Sequence, residues 1–385
     1  MTATDPTATR REVLAVAAVF AGNGFLFGGW AARLPAVADQ LGVSTSGVGL
    51  IVGSFALGGL LGASLAPRVT ERLGARRLTL LMALLLTATI ALAGQVTNAV
   101  LFAVLFVVAG ASDVLTDIGM NLCGSRAEER TGRSFMNRLH AAWTAGTLTG
   151  AALMALATSR DLDPGPSFTI LAVTTAATTV VALRFVPDAP TVADQRAAMG
   201  GRTVLVWIVA GGLAGAVEQI PADWGATLTV AEQGGAERTG ALVVAAYFTG
   251  MLVGRLVADR VVAQVGQRRV LATGPIVVGV GVLLGLLGDD PALTMAAWAL
   301  SGLGVAAIFP ALYGLAAAGI GGPGRLAAMT VGARGGALVT PVVIGALAGQ
   351  TSLTTSLAVV APIVVVGLVA STRTSAFGRP AGPLA

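Results

Sequence analysis

The sequence predicts an all-α polytopic membrane protein with twelve transmembrane helices in two six-helix, pseudo-symmetric halves. Three observations carry this reading. Apolar runs of membrane-spanning length recur along the chain, arginines collect in alternate breaks between them, and one basic segment recurs half a chain apart.

Composition sets the frame. Of 385 residues, 24 are basic and 19 acidic, so charged residues make up 11%, against roughly 25% in an ordinary soluble domain. Hydrophobic residues make up 55% and the mean hydropathy is +0.82. So few charges cannot cover a soluble fold of this length. Twelve helices of about 20 residues would take roughly 240, which leaves short loops and no sizeable soluble domain. All the basic residues are arginine, Cys123 is the single cysteine and His140 the single histidine. No Cys-rich metal site, HExxH zinc site, GxSxG elbow or phosphate-binding GxxxxGK[ST] loop is present. The sequence therefore predicts no metal, no cofactor, no enzyme activity and no ATP-driven transport by this chain alone.

The spans are expected near 13–33, 46–66, 77–95, 98–122, 138–158, 167–186, 203–224, 239–259, 269–288, 292–318, 326–348 and 353–371. Residues 1–12 form a polar tail, and the apolar run after it is long enough for a first span rather than a cleaved signal. The halves are 13–186 and 203–371, joined by a linker at 187–202 rich in Pro, Asp and Gly, with a C-terminal tail at 372–385. With both termini cytoplasmic, twenty arginines, Arg255 among them, fall on the cytoplasmic side and three (Arg33, Arg160, Arg238) on the other. That asymmetry is a positive-inside signal and places the chain in the plasma membrane. The net charge of +5 then reports topology and contact with lipid headgroups, with no nucleic-acid meaning.

Gly62–Arg77 (GASLAPRVTERLGARR) aligns without gaps on Gly254–Arg269 (GRLVADRVVAQVGQRR), sharing Gly74/Gly266, Arg68/Arg260, Arg76/Arg268 and Arg77/Arg269 at an offset of 192 residues. Each copy follows a small-residue stripe, Gly58-x-x-x-Gly62 and Gly250-x-x-x-Gly254, which lets helices approach closely. Parallel halves of six spans are a transporter architecture with the site between them.

These residues resemble the major facilitator superfamily (MFS). Its basic loop motif is matched here by Glu71, Arg72, Gly74, Arg76 and Arg77, with Pro67 in place of the leading glycine. In the second copy Gly266, Arg268 and Arg269 match, while Ala263 replaces the acid and Asp259 lies four residues earlier. The resemblance implies secondary transport, usually proton-driven, and a gating role for this loop that would include Arg260 and Arg269. Trp30-x-x-Arg33-Leu34-Pro35, Asp117-x-x-Met120-Asn121, His140-Ala-Ala-Trp143 and Asp223-Trp224 resemble the MosC/YbjJ-like subgroup.

Charge inside a bilayer is expensive and marks function or a structural pair. Asp113, Asp117 and Asn121 share one face of span 4 at i, i+4 and i+8. They read either as a proton or substrate site or as a structural hydrogen-bonded pair. In span 7, Glu218 is a cavity acid, while Asp223 beside Trp224 is either a second one or an interfacial anchor. Arg334 is either a cytoplasmic arginine before span 11 or a buried partner for an acid or an anionic solute. His140 is a proton relay or a structural histidine. Asn23 and Trp30 in span 1, with Phe309, Pro310 and Tyr313 in span 10, are candidate cavity residues, and Pro310 and Pro341 are expected to kink their helices.

The function expected is a monomeric secondary transporter, proton-coupled, working by alternating access on a small solute. The polar acids and few aromatics, 19 of 385 residues, favour a sugar- or cyclitol-like compound. A drug or metabolite efflux antiporter is the alternative, although Gly146-x-x-x-Gly150 lacks a following proline. A membrane receptor or sensor is a third reading.

Overall fold

A computed structural model describes residues 6–131, 135–187, 201–288, 290–317 and 322–374. Among these it contains thirteen helices and no strand: α1 (Pro6–Ala32), α2 (Leu34–Leu41), α3 (Thr45–Gln95), α4 (Ala99–Thr131), α5 (Met136–Thr158), α6 (Pro164–Leu183), α7 (Gly201–Ala231), α8 (Glu237–Val265), α9 (Gln267–Leu286), α10 (Pro291–Val305), α11 (Ile308–Ala317), α12 (Gly322–Ala348) and α13 (Leu353–Ser371). Most of the expected linker lies outside the described residues.

Helices and spans do not correspond one to one. α3 holds the second and third spans end to end, and α10 with α11 makes the tenth. The break in the tenth falls just before Pro310, whose ring excludes the carbonyl four residues earlier. Pro341 lies inside the continuous α12. α2 is a short extra helix between the first two spans, ended by Gly42 at φ 62°.

Eleven segments are long and apolar enough to cross a membrane. α5 is the expected span that falls short in apolarity. Its 23 residues give roughly 34 Å at about 1.5 Å per residue, enough for a hydrocarbon core of about 30 Å. Its polarity comes from Asn137, Arg138, His140 and a series of threonines. Thr144, Thr147 and Thr149 each donate to the carbonyl one turn back, at 3.0, 2.9 and 2.8 Å, so these hydroxyls are satisfied within the helix. α5 packs against α1 and α8. Large apolar side chains such as Val100, Leu101, Leu256, Ile363 and Val366 are exposed on the outer surface, as contact with lipid requires.

The internal repeat is visible in the backbone. Gly74 (φ 71°, ψ 163°) and Gly266 (φ 83°, ψ 151°) share one conformation, in a region essentially reserved for glycine. Each turns one span directly into the next. The close approaches also repeat. Gly58 of α3 seats against the Val107 carbonyl of α4, and Gly250 of α8 against the Ala299 carbonyl of α10. The glycine and the carbonyl it packs against are both displaced by the same 192 residues. Likewise α1 packs on α5 as α7 packs on α12.

The halves meet through α3 with α12, α5 with α8, and α2 with α7. On the face opposite the arginine-rich loops, they are shut. Ser46 Oγ donates to the Gly345 carbonyl at 2.7 Å. Arg33, 3% exposed, reaches Glu237 of α8 at 3.0 Å, Thr158 Oγ1 at 2.6 Å and the Leu162 carbonyl at 2.7 Å. The sequence places Arg33 in an outer loop; here it is a buried clasp between halves.

Two predictions follow from this geometry. Gly266→Ala should lower stability by about 1–3 kcal/mol, read as reduced thermal stability of the purified chain; an unchanged melting temperature would contradict the backbone assignment. Glu237→Gln removes the one charged partner of Arg33, which keeps Thr158 and the Leu162 carbonyl; because Glu237 is partly exposed, the loss should stay nearer the ~1 kcal/mol of a solvated pair while loosening this face. In a Cys123→Ser background, a cysteine at Ser46 should then react several-fold faster with a membrane-impermeant maleimide. Equal labelling would show that the pair does not hold that face shut.

Candidate functional site

α4 supplies one wall of the site. Its i, i+4, i+8 spacing brings Asp117 and Asn121 together, with Asn121 Nδ2 donating to the Asp117 carboxylate at 3.0 Å and to its carbonyl at 2.8 Å. One turn away, Asp113 accepts from Asn23 Nδ2 at 3.0 Å, and Asn23 in turn accepts from Trp143 Nε1 at 2.8 Å. This relay ties spans 1, 4 and 5 and fixes the Asp113 rotamer.

α12 supplies the facing wall. Gly332 and Gly336 seat on the Ile208 and Gly212 carbonyls of α7. Two residues along a helix is about 200° of rotation, so Arg334 projects away from α7 and toward α4. Its Nη2 lies 3.5 Å from Asp117 Oδ2, with the side chains 32% and 35% exposed. Arg334 is therefore within span 11, which resolves the two readings of its position. The pair joins the two halves, and its partial exposure within the span shows that it borders accessible space between them.

A second pair lies on the C-terminal half. Arg255 Nη2 is 3.7 Å from Glu218, both partly exposed. Arg255 Nη1 also donates to Thr144 Oγ1 and to the His140 carbonyl of α5, so it too bridges the halves. The sequence reading assigns Arg255 to a cytoplasmic loop, and the structure corrects this. α8 continues ten residues beyond it, roughly 15 Å of helix, so the span and the helix end do not coincide. A charge on the same helix turn as the Gly250-x-x-x-Gly254 stripe was the available signal. The Tyr247 hydroxyl donates to the Glu218 carbonyl at 2.8 Å, and Tyr313 of α11, 45% exposed, lies within electrostatic reach of Asp117 and Arg334.

Other expected residues lie elsewhere. Trp30 is 2% exposed, ringed by Phe27, Phe55 and Phe106 at centroid distances of 5.2, 5.2 and 5.4 Å; it packs in an aromatic core and does not face the ion pairs. The His140 ring stands edge-on to Phe20 at 5.3 Å. Asp223 and Trp224 are each 1% exposed, so they form no interfacial anchor. Among the described residues, the Asp223 carboxylate oxygens, Trp224 Nε1 and Thr227 Oγ1 have no hydrogen-bond partner. In the loop motif, Arg76 Nε donates to the Leu183 carbonyl at 2.8 Å within its own half. Glu71, Arg72, Arg77, Arg260 and Arg269 are exposed, and the Asp259 side chain lies outside the described residues. A groove of about 950 Å³ on the opposite face is lined by Arg33, Asp39, Asp161, Asp163, Glu237 and Arg238. It ends at the Arg33 clasp and does not reach Asp117. Among the described residues, no group of three or more His, Cys, Asp or Glu could hold a metal.

Known proteins share this architecture. Two crystal structures titled nucleoside transporter NupG superpose with TM-scores of 0.77 and 0.74, each 16% identical and covering 96% of this chain and 100% and 99% of theirs. A bacterial homologue of the human lysosomal transporter Spinster, in an inward-facing, unoccupied conformation, gives 0.66 at 11% identity over 97% and 94%. In sequence, the chain is 29% identical over 346 residues to the uncharacterized transporter y4wD of Sinorhizobium fredii, covering 88% of this chain and 91% of that protein. It is 26% identical over 376 residues to membrane protein MosC of Rhizobium meliloti, covering 95% and 90%. The family model of the Major Facilitator Superfamily matches twice, at residues 14–217 and 203–381. On these matches, the chain belongs to the Major Facilitator Superfamily, as a secondary transporter and not an enzyme.

Proposed function

We propose that the chain is a proton-coupled transporter of a small polar solute that works by alternating access. The observation supporting this most is the Asp117–Arg334 pair, which joins the two halves at 3.5 Å while remaining a third exposed. Two halves that rock about a central site need contacts there that break and reform, and a long, wet ion pair is one. The arginine-rich face is cytoplasmic in this reading, with both termini there and the chain in the plasma membrane. The Arg33–Glu237 clasp then closes the outer side.

The coupling is electrostatic. While ionised, Asp117 holds Arg334 and keeps the α4 and α12 walls together. A proton on Asp117 removes that attraction and frees the guanidinium for solute. Glu218 and Arg255 repeat the relation beside α5, so a second acid can exchange a proton as α5 and α8 separate. The hydrogen bonds from Asn121 and Asn23 keep Asp117 and Asp113 aimed into the cavity through both arrangements.

The test is reconstitution into liposomes with a pH-sensitive dye inside. Solute added outside should acidify or alkalinise the lumen. Asp117→Asn and Glu218→Gln should reduce that proton movement at least tenfold while sparing solute exchange at equal concentrations. If no compound moves protons, and both variants transport solute as the parent does, coupling through these acids is wrong. Stabilisation by lipophilic cations alone would favour drug efflux.

A further inference from the structure

The cavity between the halves is polarised. Its α4 wall carries Asp113 and Asp117, and its facing wall carries Arg334, with Arg255 beside Glu218. Asp117 and Arg334 touch through a single 3.5 Å contact, whereas a well-formed charge-assisted bond is about 2.7–2.9 Å. A guanidinium has five N–H donors, and among the described residues this one makes no other hydrogen bond. Arg334 also lies within electrostatic reach of Asp113, one turn along α4. The Arg334 side chain is itself 32% exposed, so its remaining donors are open to a solute. Asp117 Oδ2 has the same single distant partner.

We infer that the solute is a small zwitterion: an ammonium directed at Asp113 and Asp117 and a carboxylate directed at Arg334, on one short carbon skeleton. This rests on the transport reading above and narrows its polar solute to one carrying both charges. Insertion of a zwitterion replaces one long ion pair with two short ones. The carboxylate can engage the planar guanidinium through two N–H donors at once. The net charge of the cavity does not change. A lone anion or cation that took one partner of the Asp117–Arg334 pair would leave the other without its counter-charge. A neutral polyol can hydrogen-bond to either side chain but brings no charge to replace the partner that each would lose if the Asp117–Arg334 pair opened.

Binding alone tests this, with no gradient and no transport step. The full chain in nanodiscs is titrated calorimetrically with the standard amino acids, β-alanine and 4-aminobutyrate. Each binder is compared with its carboxyl-amidated form, its N-acetylated form, and erythritol and inositol as neutral polyols. At least one zwitterion should bind tenfold or more tightly than both of its singly charged forms and the polyols. Arg334→Gln should abolish the preference over the amide and Asp117→Asn the preference over the N-acetyl form, with Arg334→Lys retaining part of it. The inference is overturned if no zwitterion binds, if a polyol or singly charged form binds as tightly, or if Arg334→Gln leaves the zwitterion-to-amide ratio unchanged. A polyol that drives proton movement with no zwitterion binding sinks this inference and leaves proton coupling standing. Zwitterion binding without proton movement does the reverse.

Discussion

An ionised side chain within an apolar slab must find an opposite charge, a set of hydrogen bonds or water. The architecture follows from where this chain meets that requirement by pairing across its two halves. Asp117 belongs to α4 and Arg334 to α12; Arg255 belongs to α8 but bonds to α5; Arg33 ends the first span but is held by Glu237 of α8. Apolar packing in such a protein is nearly indifferent to whether a helix touches another helix or lipid. The polar pairs and the small-residue contacts therefore decide which helices meet.

The scaffold is duplicated and the chemistry is not. Gly58 and Gly250, Val107 and Ala299, Gly74 and Gly266 occupy equivalent places half a chain apart. At the same offset, Asp113 and Asp117 correspond to Val305 and Phe309. Each half thus keeps the residues that shape its bundle. The charges that meet there are distributed unevenly: α4 supplies Asp113 and Asp117, while the other half supplies Arg255 and Arg334 together with one acid, Glu218 of α7. Complementary walls arise because equivalent helices have taken unlike side chains.

The fold was largely legible in the sequence, because its determinants are local and repeated: apolar runs, arginine-bearing breaks, and one glycine per half at a turn that only glycine adopts. The acidic face of α4 was legible for the same reason, since helical spacing alone aligns Asp113, Asp117 and Asn121. Pairings between distant helices were not. In sequence, Arg255 counts with Arg260, Arg268 and Arg269 on the cytoplasmic side although it lies inside the expected span 239–259, because an arginine near a span end reads as a topology marker. Arg33 looked solvated because it leaves the first span, yet the end of α5, the segment before α6 and the start of α8 close around it. Trp224 looked interfacial by type, but its position in α7 places it in the core. Apolarity along α5 was weak because its threonines satisfy themselves against their own backbone, which a residue-by-residue scale counts as polarity.

Arg33 sits at the junction of α1 and α2 and is gripped at once by the end of α5, the segment leading into α6, and the start of α8. Thr158 and Leu162 belong to the same half as Arg33, so only the Glu237 contact crosses between the halves. If the halves part on this face, the guanidinium keeps two neutral acceptors and loses one charged one. The clasp is therefore hinged on one side: its N-terminal anchor stays formed, and a single ion pair is what opening has to break.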